Sequence, residues 1–190
     1  MPFEFKETDI EGVIEVSPQI FPDSRGKFLE FFRWDLFSQD GIHSVYSQVN
    51  VSVSKKNVIR GLHYQDGLKP QAKLVGVIAG KATDVVVDLR ADSNTYLQYR
   101  KFDLDAKAHK LILIPVGCAH GFASLQDNTV LMYMCSNEYD ILCDSGIRYN
   151  DPDLNIDWGI ESPVVSSKDN RLQSLKRFLE CGGLQVRTVC

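Results

Sequence analysis

The chain has 190 residues, 44% of them apolar, and no break in composition, so one domain over residues 1–180 with a tail at 181–190 is expected. Its net charge of −4 excludes a chain that attracts nucleic acid or an anionic membrane as a whole, so any phosphate it holds must be gripped by a local cluster of Arg and Lys. No run is apolar enough to span a bilayer, and Met1-Pro2-Phe3-Glu4-Phe5-Lys6 lacks the basic start and apolar core of a secretory signal, which predicts a cytoplasmic protein.

In chain order, a short helix is expected near residues 35–38. From about residue 47 to 134 the sequence then repeats short β-rich runs, at 48–54, 73–78, 82–89, 98–104, 110–114 and 129–134. Turn signals divide them, among them Lys55-Lys56-Asn57, Ala79-Gly80-Lys81, Asp92-Ser93-Asn94, Pro115-Val116-Gly117 and Gln126-Asp127-Asn128. Gly80 and Asn128 suit turn positions that need positive φ. Helical periodicity is nearly absent here, and the spacing is that of a sandwich or barrel.

Within the run 82–89, Val85, Val87 and Leu89 alternate with Asp84, Val86 and Asp88, which puts two carboxylates on one face. If that face looks into a barrel it lines a cavity; for each carboxylate a structural ion pair is the competing reading. Beyond, Ser166-Ser167-Lys168-Asp169 offers N-cap residues to Leu172, Leu175, Phe178 and Leu179, which recur at helical spacing and stop before Gly182-Gly183. A peripheral helix over 168–179 follows, and residues 184–190 carry no structural signal. The five cysteines, Cys118, Cys135, Cys143, Cys181 and Cys190, form an odd set with no C-x-x-C pair, which argues for reduced thiols.

Chemistry concentrates in Arg60-Gly61-Leu62-His63-Tyr64-Gln65, in Lys73 ten positions after His63, in Pro115-Val116-Gly117-Cys118-Ala119-His120-Gly121-Phe122, and in Tyr133. His, Lys and Tyr are the types that take a proton from carbon beside a ketone: a neutral imidazole removes it, an ammonium stabilises the enolate oxygen, and a phenol returns a proton. Taken singly, each is as well explained as a core or surface residue. A metal barrel needs a His-x-His pair with a carboxylate shortly after; His63 is followed by Tyr64 and Gln65, and His120 by Gly121 and Phe122, so no metal and no cofactor are expected.

On these motifs, together with Phe21-Pro22-Asp23-Ser24-Arg25-Gly26-Lys27-Phe28-Leu29-Glu30, Gln48-Val49-Asn50, residues 84–90, residues 151–158 and Ser167-Lys168-Asp169, the chain resembles the dTDP-4-dehydrorhamnose 3,5-epimerases over about residues 21–169. The resemblance implies an all-β, double-stranded β-helix jelly roll of the cupin type with short peripheral helices, and a homodimer whose N-terminal strands extend a neighbouring sheet. It implies that His63 is the general base, oriented by Asp169, that Tyr133 is the general acid, and that Lys73 stabilises the enolate. Arg25, Arg60 and Lys168 would lie near the diphosphate, Glu30, Gln48 and Asn50 near the nucleoside, and His120 in the sugar pocket.

The activity implied is inversion at carbon 3, carbon 5 or both of a nucleotide-activated 4-keto-6-deoxy sugar, the commonest case turning dTDP-4-dehydro-6-deoxyglucose into dTDP-4-dehydrorhamnose. Departures fall after the Tyr133 run, where Glu138-Tyr139-Asp140-Ile141-Leu142-Cys143-Asp144 stands in place of an aromatic pair and Pro-x-x-Glu. Glu138 replaces an aromatic that would stack on the base, Tyr139 remains to supply that face, and a CDP sugar stays an alternative substrate. Two other readings stay open: a sugar-nucleotide binding module that has lost the reaction, and a keto-sugar isomerase using His120.

Overall fold

Runs in which successive side chains must leave opposite sides of an extended backbone dominate the chain, and the computed structural model, which describes residues 2–184, is built almost wholly of strands. An N-terminal hairpin of β1 (Phe3–Glu7) and β2 (Ile14–Pro18) leads to a second hairpin of β3 (Phe21–Asp23) and β4 (Gly26–Phe28), which pair only with each other. After α1 (Trp34–Gln39) come β5 (Gln48–Ser54), β6 (Val58–Gln65), β7 (Lys73–Ala79), β8 (Lys81–Asp88), β9 (Tyr99–Asp105), β10 (Leu111–Ile114), β11 (Cys118–Ser124) and β12 (Thr129–Cys135). The short strands β13 (Asp144–Gly146) and β14 (Val164–Val165) and the helix α2 (Leu175–Glu180) complete it.

Two sheets result, ordered β1-β2-β10-β7-β12-β5 and β13-β6-β11-β8-β9, with β14 parallel against β6. Every other pairing in them is antiparallel, and the alternation of β5 to β8, and again of β9 to β13, between the two sheets is that of the double-stranded jelly roll. Val75, Val77, Val86, Ile112, Phe122 and Leu131 pack in the apolar cluster between the sheets. Two further layers cover the outer faces. The chain from Ile147 to Phe178 packs Leu154, Ile156, Trp158, Leu175 and Phe178 on the second sheet, while α1 sends Phe37 onto Leu74 and Leu111 of the first.

Because of that covering layer, both faces of β8 are buried. Val85, Val87 and Leu89 point outward into the C-terminal cluster, and Val86 points between the sheets. Gly80, at φ +78, and Asn128, at φ +57, occupy the tight turns their sequence signals. A Cβ on Gly80 would also sit 2.6 Å from Oγ1 of Thr129, so the β7–β8 turn needs glycine twice over.

Two expectations require correction. The helix expected over 168–179 is broken into a 3₁₀ turn at Asp169–Arg171 and α2, with Leu172 extended at φ −60, ψ 148. The cap of α2 is Ser174, whose Oγ accepts the Arg177 N–H at 3.1 Å, whereas Ser166 caps only the turn by accepting from the Asp169 N–H at 3.0 Å. The turn points the Asp169 side chain inward, and a continuous helix would commit that backbone to a different course. Strands β1 to β4, β6, β11, β13 and β14 also lie outside the runs read as strands. In β6 and β11 the reason is glycine inside the strand, Gly61 and Gly121, which removes the alternation that marks a pleated run. The C-terminal segment read as lacking a signal begins at Leu184, and residues 185–190 lie outside the described residues.

Candidate active site

The two glycine-bearing strands carry the two histidines. His120 of β11 is the register partner of His63 of β6, and the ladder is irregular just beyond, between His120 and Phe122. Gly61 has φ +119, and a Cβ there would stand 2.6 Å from the Gly121 Cα and 2.7 Å from the His120 carbonyl oxygen. Only glycines let the strands approach this closely, so the imidazoles end up as cross-strand neighbours.

Each imidazole is backed by a carboxylate. Nε2 of His63 lies 2.8 Å from Oδ1 of Asp169, whose other oxygen accepts the Gly61 N–H at 3.2 Å. Burial pushes the Asp169 carboxyl up, but the His63 imidazole, the Gly61 N–H and the Ser166 hydroxyl outweigh it and hold it below the usual carboxylate range. An ionised acceptor on Nε2 keeps the proton there and leaves Nδ1 as the basic nitrogen. The second pair is His120 with Asp84, at 2.6 Å.

From the opposite sheet come Lys73 of β7 and Tyr133 of β12, adjacent strands on which Lys73 is paired in register with Cys135. Lys73 is buried, and its Nζ donates to the His63 carbonyl oxygen at 3.3 Å. Burial lowers its pKa against the opposing pull of the groups at Cys135, Asp144 and Asp84. Burial raises that of the Tyr133 phenol, which therefore keeps its proton. His63, Lys73, His120 and Tyr133 line one cleft of about 230 Å³, together with Asp169, Arg60 and Lys168.

At the rim, Arg60 Nε donates to Ser54 Oγ at 3.2 Å, and Lys168 Nζ reaches Asp144 at 2.5 Å beneath the Tyr139 ring, 5.9 Å from its centroid. The Asp144 contact raises the Lys168 pKa, so two cations, Arg60 and Lys168, face the cleft mouth. Gln48 does not line the cleft. Its side-chain Oε1 accepts the Tyr139 N–H at 2.7 Å and its Nε2 donates to Asn50 Oδ1 at 2.9 Å, which ties the two residues to the Tyr139 segment.

Arg25 and Glu30 are not brought to this cleft. Arg25 sits on the exposed β3–β4 hairpin with its guanidinium on Asp23 at 2.6 Å, and Glu30 lies 3.8 Å from Arg33. Of the carboxylates on β8, Asp84 stands behind His120, while Asp88 forms a structural pair with Arg90 at 2.8 Å. Ser52, Phe122 and Ser166 also line the cleft, and the sequence reading gives none of them a role in the site. Period two would have found Ser52 from Asn50 and Phe122 from His120; Ser166 is marked locally only as a cap residue. Among the described residues no group of three or more His, Cys, Asp or Glu side chains is placed to hold a metal ion.

Such a cleft in a jelly roll, with a carboxylate-backed imidazole, a buried ammonium and a protonated phenol, holds the group types that proton transfer at a carbon beside a ketone needs. A family model described as dTDP-4-dehydrorhamnose 3,5-epimerase matches residues 7–177. A dTDP-4-dehydrorhamnose 3,5-epimerase of Methanothermobacter thermautotrophicus is 40% identical over 177 residues, covering 92% of this chain and 95% of that one. A dTDP-4-dehydrorhamnose 3-epimerase of Streptomyces niveus is 36% identical, covering 95% and 88%. The structure of the dTDP-6-deoxy-D-glucose-3,5-epimerase of Legionella pneumophila in complex with dTDP-4-keto-L-rhamnose superposes with a TM-score of 0.91 at 35% identity, covering 98% of this chain and all of that one. The chain belongs to the dTDP-4-dehydrorhamnose 3,5-epimerase family.

Proposed function

We propose that this protein inverts carbon 3, carbon 5 or both of a nucleotide-activated 4-keto-6-deoxy sugar, with dTDP-4-dehydro-6-deoxyglucose as substrate and dTDP-4-dehydrorhamnose as product. The observation that carries the reading is His63 with its free Nδ1, backed by Asp169 and facing a cleft that also holds Lys73 and Tyr133.

In this mechanism His63 Nδ1 removes the proton from a carbon beside the ketone, and the charge that develops on the ketone oxygen is met by the Lys73 ammonium. Tyr133 delivers a proton to the other face of the enolate and inverts the centre. Asp169 stabilises the imidazolium formed in the first step. Arg60 and Lys168 grip the diphosphate, with His120 on the sugar and Gln48, Asn50 and Tyr139 on the nucleoside side.

Arg25 and Glu30 enter the reading through a homodimer, as groups one copy lends to the other. Its support is the β3–β4 hairpin, with Phe28 65% exposed, and the bare outer face of edge strand β5, where Val49, Val51 and Val53 are 55 to 60% exposed. We further read residues 1–180 as one domain with a tail at 181–190, and a cytoplasmic location, in keeping with the free thiols of Cys118, Cys135 and Cys143. Among the described residues no helix is long and apolar enough to cross a membrane.

A second reading keeps the chemistry and changes the base, because Glu138 presents a carboxylate, 65% exposed, beside Tyr139. Proton NMR in deuterated water decides both points. Exchange at carbons 3 and 5 of dTDP-4-keto-6-deoxyglucose, abolished in His63→Ala, is expected; exchange with the CDP sugar alone would favour the second reading, and binding without any exchange would make the protein a binding module.

A further inference from the structure

The proposed base has a neighbour built on the same plan. Asp84 is fully buried, and its Oδ2 lies 2.6 Å from Nε2 of His120, whose side chain is 7% exposed. Both belong to the wall between the sheets: Val86, two residues from Asp84 on the same side of β8, is the register partner of His120. The second carboxylate oxygen, Oδ1, is buried with no hydrogen-bond partner among the described residues.

A carboxylate held this deep with one oxygen unmatched is costly, and an apolar side chain would fill the place at less expense. Two effects stand against that cost: its charge favours the Lys73 ammonium, and it orders His120. A carboxylate only accepts, so the proton of the ring must sit on Nε2, and Nδ1 is left as a lone-pair acceptor in a residue that lines the cleft.

We propose that Asp84 is a positioning residue that fixes His120 with its proton on Nε2, so that Nδ1 accepts a hydrogen bond from a hydroxyl of the sugar ring. This deepens the epimerase reading and rests on it. The neighbours of His120 argue for an acceptor over a second cation. His63 is its cross-strand partner and must gain positive charge during proton removal, and Lys73 already brings an ammonium to the same cleft. A positive ring at His120 would oppose that gain. A neutral acceptor leaves it unopposed, and by holding one hydroxyl it sets the rotation of the sugar, so that the carbon-bound hydrogen faces His63.

Nitrogen-15 NMR of the intact protein labelled at histidine reads the tautomer directly, with the His120 signals identified by their loss in His120→Asn. A protonated Nε2 and bare Nδ1 are expected in the wild type, and a mixture of tautomers in Asp84→Leu. Kinetically, kcat/KM for exchange should fall on the order of 10- to 100-fold in Asp84→Leu and recover in part in Asp84→Asn, which keeps an acceptor oxygen, while the affinity for dTDP itself stays within about twofold. A wild-type ring protonated on Nδ1 or on both nitrogens overturns the proposal, as does a kcat/KM in Asp84→Leu equal to wild type, or a loss of dTDP affinity matching the loss of exchange. If Asp84→Leu fails to fold, the wild-type spectrum and Asp84→Asn still decide. Absence of exchange by the wild type with any 4-keto sugar would sink the epimerase reading alone, since the ring spectrum needs no turnover.

Discussion

Asp169→Asn keeps the shape of the side chain behind His63 and removes its charge. In the native site the carboxylate holds the Nε2 proton at 2.8 Å and becomes the counter-ion when His63 takes a proton from carbon. Replacing a charge-assisted hydrogen bond by a neutral one forfeits about 1 kcal/mol. A full charge pair at about 4 Å is worth roughly 4 kcal/mol at an effective dielectric of about 20. The His63 side chain is 29% exposed, so solvent screening takes roughly half of that. Together about 3 kcal/mol of transition-state stabilisation disappears, a fall of about 100-fold in the exchange rate at 1.36 kcal/mol per tenfold. The assay is the initial rate of deuterium entry at carbons 3 and 5 at saturating substrate. A variant that melts like the wild type, binds dTDP normally and exchanges within threefold of the native rate would refute the role given to Asp169. The stability change has its own signature. A carboxyl held low in the folded state stabilises above its unfolded pKa, and that contribution is lost as pH falls through the folded value. The deficit of Asp169→Asn in melting temperature should therefore be present at neutral pH and close in acid.

Tyr133→Phe should still exchange the substrate proton by way of His63 but fail to complete inversion at one carbon or more, seen as deuterium entry without the inverted product. At Asp88, burial pushes the carboxyl up, but Arg90, Ser93 and Thr95 more than compensate and bring it down to about 2. Asp88→Asn should cost about 2 kcal/mol at pH 7, a penalty that vanishes as pH falls from the unfolded carboxylate pKa towards 2, as urea unfolding across that range will report. Gly61→Ala forces a Cβ within 2.7 Å of the His120 carbonyl oxygen at φ +119, and should cost about 2 to 5 kcal/mol and displace both imidazoles; an unchanged melting temperature would contradict the packing described here. Val51→Asp, on a strand face 59% exposed at that residue, should leave the monomer fold intact and shift the sedimentation coefficient from dimer to monomer.

Period two along residues 48–54 and 82–89, the turn residues Gly80 and Asn128, and the clustered motifs around His63, His120 and Tyr133 were legible in the sequence, because they depend on which side of its own strand a residue leaves. So was the family, through those motifs in combination. What stands across from a residue was not legible. Asp84 and Asp88 share one face of one strand, yet one backs a cleft histidine and the other clasps Arg90, because different strands and loops lie opposite them. The same holds for β6 and β11, where glycines that weaken a strand reading are what let His63 and His120 meet. It holds again for Asp169, which helical spacing assigned to a peripheral helix and which a 3₁₀ turn directs inward to His63. Local pattern records the direction of a side chain; its partner is set by cross-strand register and by the closure of two sheets, contacts between residues more than 100 positions apart, such as His63 and Asp169, that no short window of sequence contains.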